Sequence, residues 1–64
     1  MTFSQWIYSL PVKEYTLVRN EIKATCKISN VALKNWINGN NTPLPVYRDK
    51  INAITKKYGN VEFF

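Results

Sequence analysis

The side chains of this 64-residue chain that could do chemistry are hydrogen-bond donors and cations; acid–base and nucleophilic groups are nearly absent. Histidine is missing and cysteine occurs once, at Cys26. Without an imidazole neither a catalytic triad nor histidine-based proton transfer can be assembled, and a lone cysteine cannot build a zinc site. The carboxylates are Glu14, Glu21, Asp49 and Glu62. Glu14 and Glu21 stand two helical turns apart, the spacing of a solvated face more than of a carboxylate pair. No glycine-rich phosphate loop exists, so enzymatic activity, a metal and a cofactor are not expected. What the chain does carry is a stretch from Ile22 to Arg48 with no carboxylate, populated by Lys23, Lys27, Ser29, Asn30, Lys34, Asn35, Asn38, Asn40, Asn41 and Thr42. Such groups donate hydrogen bonds and neutralise anions. With a net charge of +5 and a pI near 9.6, they favour a polyanionic partner through counterion release and surface attraction.

The elements that must hold these groups follow from periodicity and breakers. Hydrophobic residues make up 45% of the chain, too many for disorder, and a chain this short can build one core only. Pro11, Gly39, Pro43, Pro45 and Gly59 divide it into four pieces, each patterned as a helix. Helix 2–9 places Phe3, Trp6, Ile7 and Leu10 on one side behind a capping Thr2. Helix 12–26 follows Pro11 and carries the stripe Val12, Tyr15, Val18, Ile22, Cys26, with Arg19 at its edge. Helix 29–38 is capped by Ser29; Leu33, Trp36 and Ile37 converge on one side, while Val31, Lys34, Asn35 and Asn38 lie opposite, and Gly39 closes the C-terminus in the left-handed conformation. Helix 45–58 carries Tyr47, Ile51, Ile54 and Tyr58 inward. The expected fold is all-α, a compact bundle of four short helices in a single domain over residues 1–64.

Two of those helices, joined by a turn of about three residues with a serine cap and a Leu/Trp anchor after it, form a helix-turn-helix pattern between Arg19 and Pro43. The chain reads R-x-x-I-x-x-x-C-K-I-S-x-x-x-L-x-x-W-x-x-G-x-x-x-P there. In this it resembles the phage-repressor and Cro-like helix-turn-helix family, through Cys26 before the turn, Ile28-Ser29 after it, Leu33, Trp36, and Gly39 to Pro43. The family tends to have a small residue where Lys23 stands and glycine where Lys27 stands. Lys27 is accordingly expected either at positive φ, at a cost of roughly 1 kcal/mol, or in a turn shaped differently by one residue.

The resemblance implies sequence-specific binding of double-stranded DNA, as a small transcriptional regulator of phage or bacterial type whose third helix enters the major groove. Asn30, Val31, Lys34 and Asn35 are then the candidates for base contacts: Asn35 can pair with adenine, Lys34 can donate to guanine O6 and N7, and Val31 can press on a thymine methyl. Arg19, Lys27, Ser29, Asn38, Asn40, Asn41 and Thr42 are the candidates for phosphate contacts. Family members commonly dimerise, which implies a homodimer here through the last helix or the tail Val61 to Phe64; the tail's alternative is to cap the monomer's own core. Leu33, Trp36, Ile22 and Ile28 are expected in the core, and Cys26 as a small buried hydrophobe.

Two other classes compete. The same fold can serve as a phage or mobile-element adaptor that holds a protein partner through helix three or the tail. A basic face of the last helix, with Arg48, Lys50, Lys56 and Lys57, could dock on anionic lipid, although its Tyr/Ile stripe is better explained as core. The single cysteine, the absence of an apolar stretch of ~20 residues and the lack of a leader pattern at the start lead to an expectation of a reducing, cytoplasmic setting with no membrane span.

Overall fold

The computed structural model describes residues 1–64. It contains four helices and no strand: α1 (Phe3–Ser9), α2 (Val12–Cys26), α3 (Asn30–Ile37) and α4 (Pro45–Gly59). The boundaries are set by local chemistry. Thr2 and Gln5 form a reciprocal cap on α1, with Thr2 Oγ1 accepting from the Gln5 amide at 3.1 Å and Gln5 Oε1 accepting from the Thr2 amide at 2.9 Å. Leu10 precedes a proline and is extended, which ends α1. Ser29 Oγ accepts from the Ala32 amide at 3.2 Å and starts α3. Leu44 is extended before Pro45, which occupies the first turn of α4, where its missing N–H costs nothing.

The fully buried centre is Ile7, Val18, Ile22, Leu33, Ile37 and Ile51, drawn from all four helices. Cys26 is buried beside it as a free thiol, and burial pushes that thiol's pKa up. Beyond α4 the chain turns back through Asn60, in the left-handed conformation. Phe63 then lies 5.8 Å from Phe3 and 5.7 Å from Trp6, ring centre to ring centre. Polar side chains of α4 staple this tail: Thr55 Oγ1 donates to the Val61 carbonyl at 2.6 Å, and Asn52 Oδ1 accepts from the Phe63 and Phe64 amides at 3.2 and 3.1 Å. In the monomer the tail therefore covers the aromatic side of α1.

Several residues expected in the core are only partly covered. The α2 stripe is buried from Val18 onward; Val12 is exposed, and Tyr15 is half-buried with the Tyr8 ring stacked on it. Trp36 and Ile28 are half-buried rather than central, as are Tyr47 and Tyr58. Trp36 packs its ring on Tyr47, 5.4 Å away, so these large rings rim the isoleucine core instead of forming it. No helix is long and apolar enough to cross a membrane.

Candidate nucleic-acid interface

The turn between α2 and α3 is where local sequence does the most to shape a surface. Cys26 is the last residue of α2, and Lys27 follows at φ 53°, ψ 50°. The amides of Lys27 and Ile28 both donate to the Lys23 carbonyl, a C-terminal closure that ordinarily places glycine at the left-handed position. Lysine stands there instead, holding its Cβ in the crowded αL geometry, and its side chain is exposed. The turn thus has the expected length, with positive φ at Lys27.

From this turn α3 leaves with Asn30, Val31 and Lys34 exposed along its outer side. Val31 is 69% exposed, an isopropyl group left largely uncovered by the fold. Leu33 and Ile37 are buried on the opposite side. Asn35 is half-buried, and its carbonyl accepts the amides of Asn40 at 2.9 Å and Asn41 at 3.4 Å. That residue anchors the loop leaving α3, and its side chain stands at the margin of the exposed face.

The candidates for phosphate contacts separate into three places. Lys27 and Ser29 flank the turn, where Ser29 Oγ already serves as the α3 cap. Asn38, Asn40, Asn41 and Thr42 are exposed around Gly39, whose φ of 78° reverses the chain. Asn38 is partly engaged, since its Oδ1 accepts the Tyr8 hydroxyl at 2.7 Å. Asn38, Asn41 and Thr42 line an open cavity of about 610 Å³ with the N-terminal residues and the Phe63-Phe64 tail.

Arg19 lies elsewhere, about two helical turns before the end of α2. Its guanidinium carbon sits 5.6 Å from the Tyr15 ring centre, and Tyr15 stacks on Tyr8 at 5.9 Å. Its Nε is out of contact with solvent and has no hydrogen-bond acceptor. The sequence pattern gave Tyr15 to the core and left Tyr8 unassigned. The usable signal was the i, i+4 pairing of Tyr15 with Arg19 and the position of Tyr8 off the Phe3, Trp6, Ile7 stripe.

Charge is distributed unevenly over this framework. The two ion pairs are Lys57–Glu21, at 3.0 Å between α2 and α4, and Lys56–Glu62 in the tail. Arg19, Lys23, Lys27 and Lys34 are in neither. Hydrogen bonding from the Tyr58 hydroxyl and from Lys57 holds the Glu21 carboxyl below its usual range. Two of the four acids are thereby occupied on the α4 side, and the turn and α3 are left cationic.

No protein-family model matches this chain, and neither a curated protein nor a solved structure does.

Proposed function

We propose that the chain binds double-stranded DNA, with α3 laid in the major groove, and acts as a small transcriptional regulator. The observation that carries this is the outer side of α3: Asn30, Val31 and Lys34 stand exposed together on a helix whose opposite side is locked into the core, next to a cationic turn free of carboxylates. A rigidly backed helix that offers an amide, an ammonium and an unsupported valine matches the donor, acceptor and methyl pattern of base edges. Asn35, at the margin, reads a base only at one end of the contact. Lys27 and the Asn38 to Thr42 loop bracket the helix as phosphate contacts, and Ser29 contributes chiefly as a cap. This assigns a sequence-specific role to α3 and a sequence-independent one to its flanks.

The test is a site selection on random duplex DNA followed by salt titrations. Binding that weakens steeply with salt, with a selected motif lost in Val31→Ala and Asn30→Ala, supports the proposal. Absence of duplex binding at low salt overturns it.

One observation favours a second reading, an adaptor or a homodimer. Leu44 and Val46, at the entry to α4, are 63% and 62% exposed. With Phe63 occupied inside the monomer, they form an exposed apolar pair outside the α3 face that a protein partner or a second copy could cover, and sedimentation of wild type against Leu44→Ser/Val46→Ser tests it.

A further inference from the structure

Between α1, α2 and α3 lies a groove of about 180 Å³ lined by Tyr8, Tyr15, Arg19, Lys34 and Ile37. A single water needs ~10–15 Å³ on this measure, so the groove has room for a phosphate group. Three features of the groove point the same way. Two cations from different helices line it, and none of the four carboxylates does. Arg19 Nε is shut off from solvent without an acceptor, so a ligand oxygen in the groove meets the terminal guanidinium nitrogens first, and Nε gains the acceptor it lacks when the side chain shifts toward the ligand. The Arg19 side chain is also pre-positioned: it lies against Tyr15, which is stacked on Tyr8, and Tyr8 is tied through its hydroxyl to Asn38. Part of the ordering cost of gripping a ligand is therefore already met by the fold.

We propose that this groove is a phosphate seat, in which Arg19 supplies a planar fork of N–H donors, Lys34 supplies an ammonium, and the Tyr8–Tyr15 stack forms the wall. Its ligand is a phosphate ester carried either on a nucleic-acid strand or on a free nucleotide. Lys34, at the border between the α3 outer side and the groove, supplies its ammonium to the anion here. The seat shares Lys34 with the outer side of α3, but Tyr8, Tyr15 and Arg19 lie on α1 and α2, so it goes beyond the duplex-binding proposal and does not depend on it.

The experiment follows the Arg19 Nε–H resonance and the backbone amides of the full-length, ¹⁵N-labelled chain by NMR. Sodium phosphate is titrated against sodium chloride at equal ionic strength and pH. Saturable shifts at Arg19 and Lys34 in phosphate but not in chloride are expected. Half-saturation should move up roughly tenfold in Lys34→Gln, an exposed site where folding is preserved, and in Arg19→Lys, which keeps the charge but loses the fork. Shifts that are the same in chloride, or that persist unchanged in Lys34→Gln, overturn the seat. Adenosine monophosphate and a short duplex then distinguish the sources. Both arms presuppose the seat: phosphate competing with the duplex at Arg19 assigns it to a strand, and a response to the nucleotide alone assigns it to a free ligand. Duplex binding itself is read separately, at the Asn30 and Val31 amides, so failure of one proposal leaves the other measurable.

Discussion

The side of the molecule made by α1, α4 and the tail ties several of its polar groups into internal contacts, whereas the side made by α2, its turn and α3 leaves most of its cations unpaired. On the first side Asn52 and Thr55 staple the tail, Lys56 and Lys57 hold Glu62 and Glu21, and Phe3, Trp6 and Phe63 pack ring against ring. On the second, Lys27 sits in a conformation disfavoured for its side chain, Arg19 Nε lacks an acceptor, and Val31 faces solvent. A small protein has little stability to give away. Retaining strain and unmatched donors on one side is a pattern expected of a surface that meets a partner, while the other side provides the rigidity behind it.

The comparison breaks first at the two tryptophans. Trp6 is buried among Phe3, Phe63 and Gly59, and Trp36 is half-buried against Tyr47. Trp6→Ala is expected to cost about 3–5 kcal/mol and to abolish the helical circular dichroism signal at ambient temperature. Trp36→Ala should cost less and leave a folded, less stable domain. Equal losses would mean that the two sides share the stability evenly.

Gly59 sharpens the same contrast. Alanine usually improves a helix interior by roughly 0.5–1 kcal/mol, but a Cβ here would stand 2.7 Å from Trp6 Nε1. Gly59→Ala is expected to destabilise by about 1–3 kcal/mol. A raised melting temperature would show that the Trp6 ring has freedom to move aside.

At the turn the sign should reverse. Lys27→Gly relieves the αL position and is expected to stabilise by about 1 kcal/mol, while removing a cation from the proposed interface. Thermal melts should therefore rise as the slope of log K against log salt for duplex binding falls by roughly 0.9. A lower melting temperature would mean that the lysine stem packs on the surface and the turn carries no strain.

The smallest expected effect is the acid limb of stability. Because Tyr58 and Lys57 lower the Glu21 pKa below its ordinary value of 4.5, the ionised form is favoured by folding. That contribution is present above the unfolded pKa and is lost as pH falls through the folded one. Glu21→Gln should flatten stability against pH below about 4.5. An unchanged acid limb would show that the α2–α4 pair is too exposed to matter.

Much of the fold was legible because helix limits are local. Thr2, Ser29, Leu44-Pro45 and Gly39 act through bonds and clashes within a few residues, so four helices at nearly the observed limits follow from types and spacing alone. The outer side of α3 was legible for the same reason, since period 3.6 separates Leu33 and Ile37 from Asn30, Val31 and Lys34. The positive φ at Lys27 was one of two possibilities that the turn pattern left open, and the closure on the Lys23 carbonyl selects it. Tertiary structure alone decided that Ile7, Ile22, Ile37 and Ile51 form the centre while Trp36, Tyr47 and Tyr58 rim it, that the tail returns to Phe3 and Trp6, and that Tyr8, Tyr15, Arg19 and Lys34 meet in one groove. These outcomes depend on how helices distant in sequence cross and how deeply each apolar stripe is covered. A stripe names the side of a helix that turns inward; it does not encode which turns of that helix its neighbours reach.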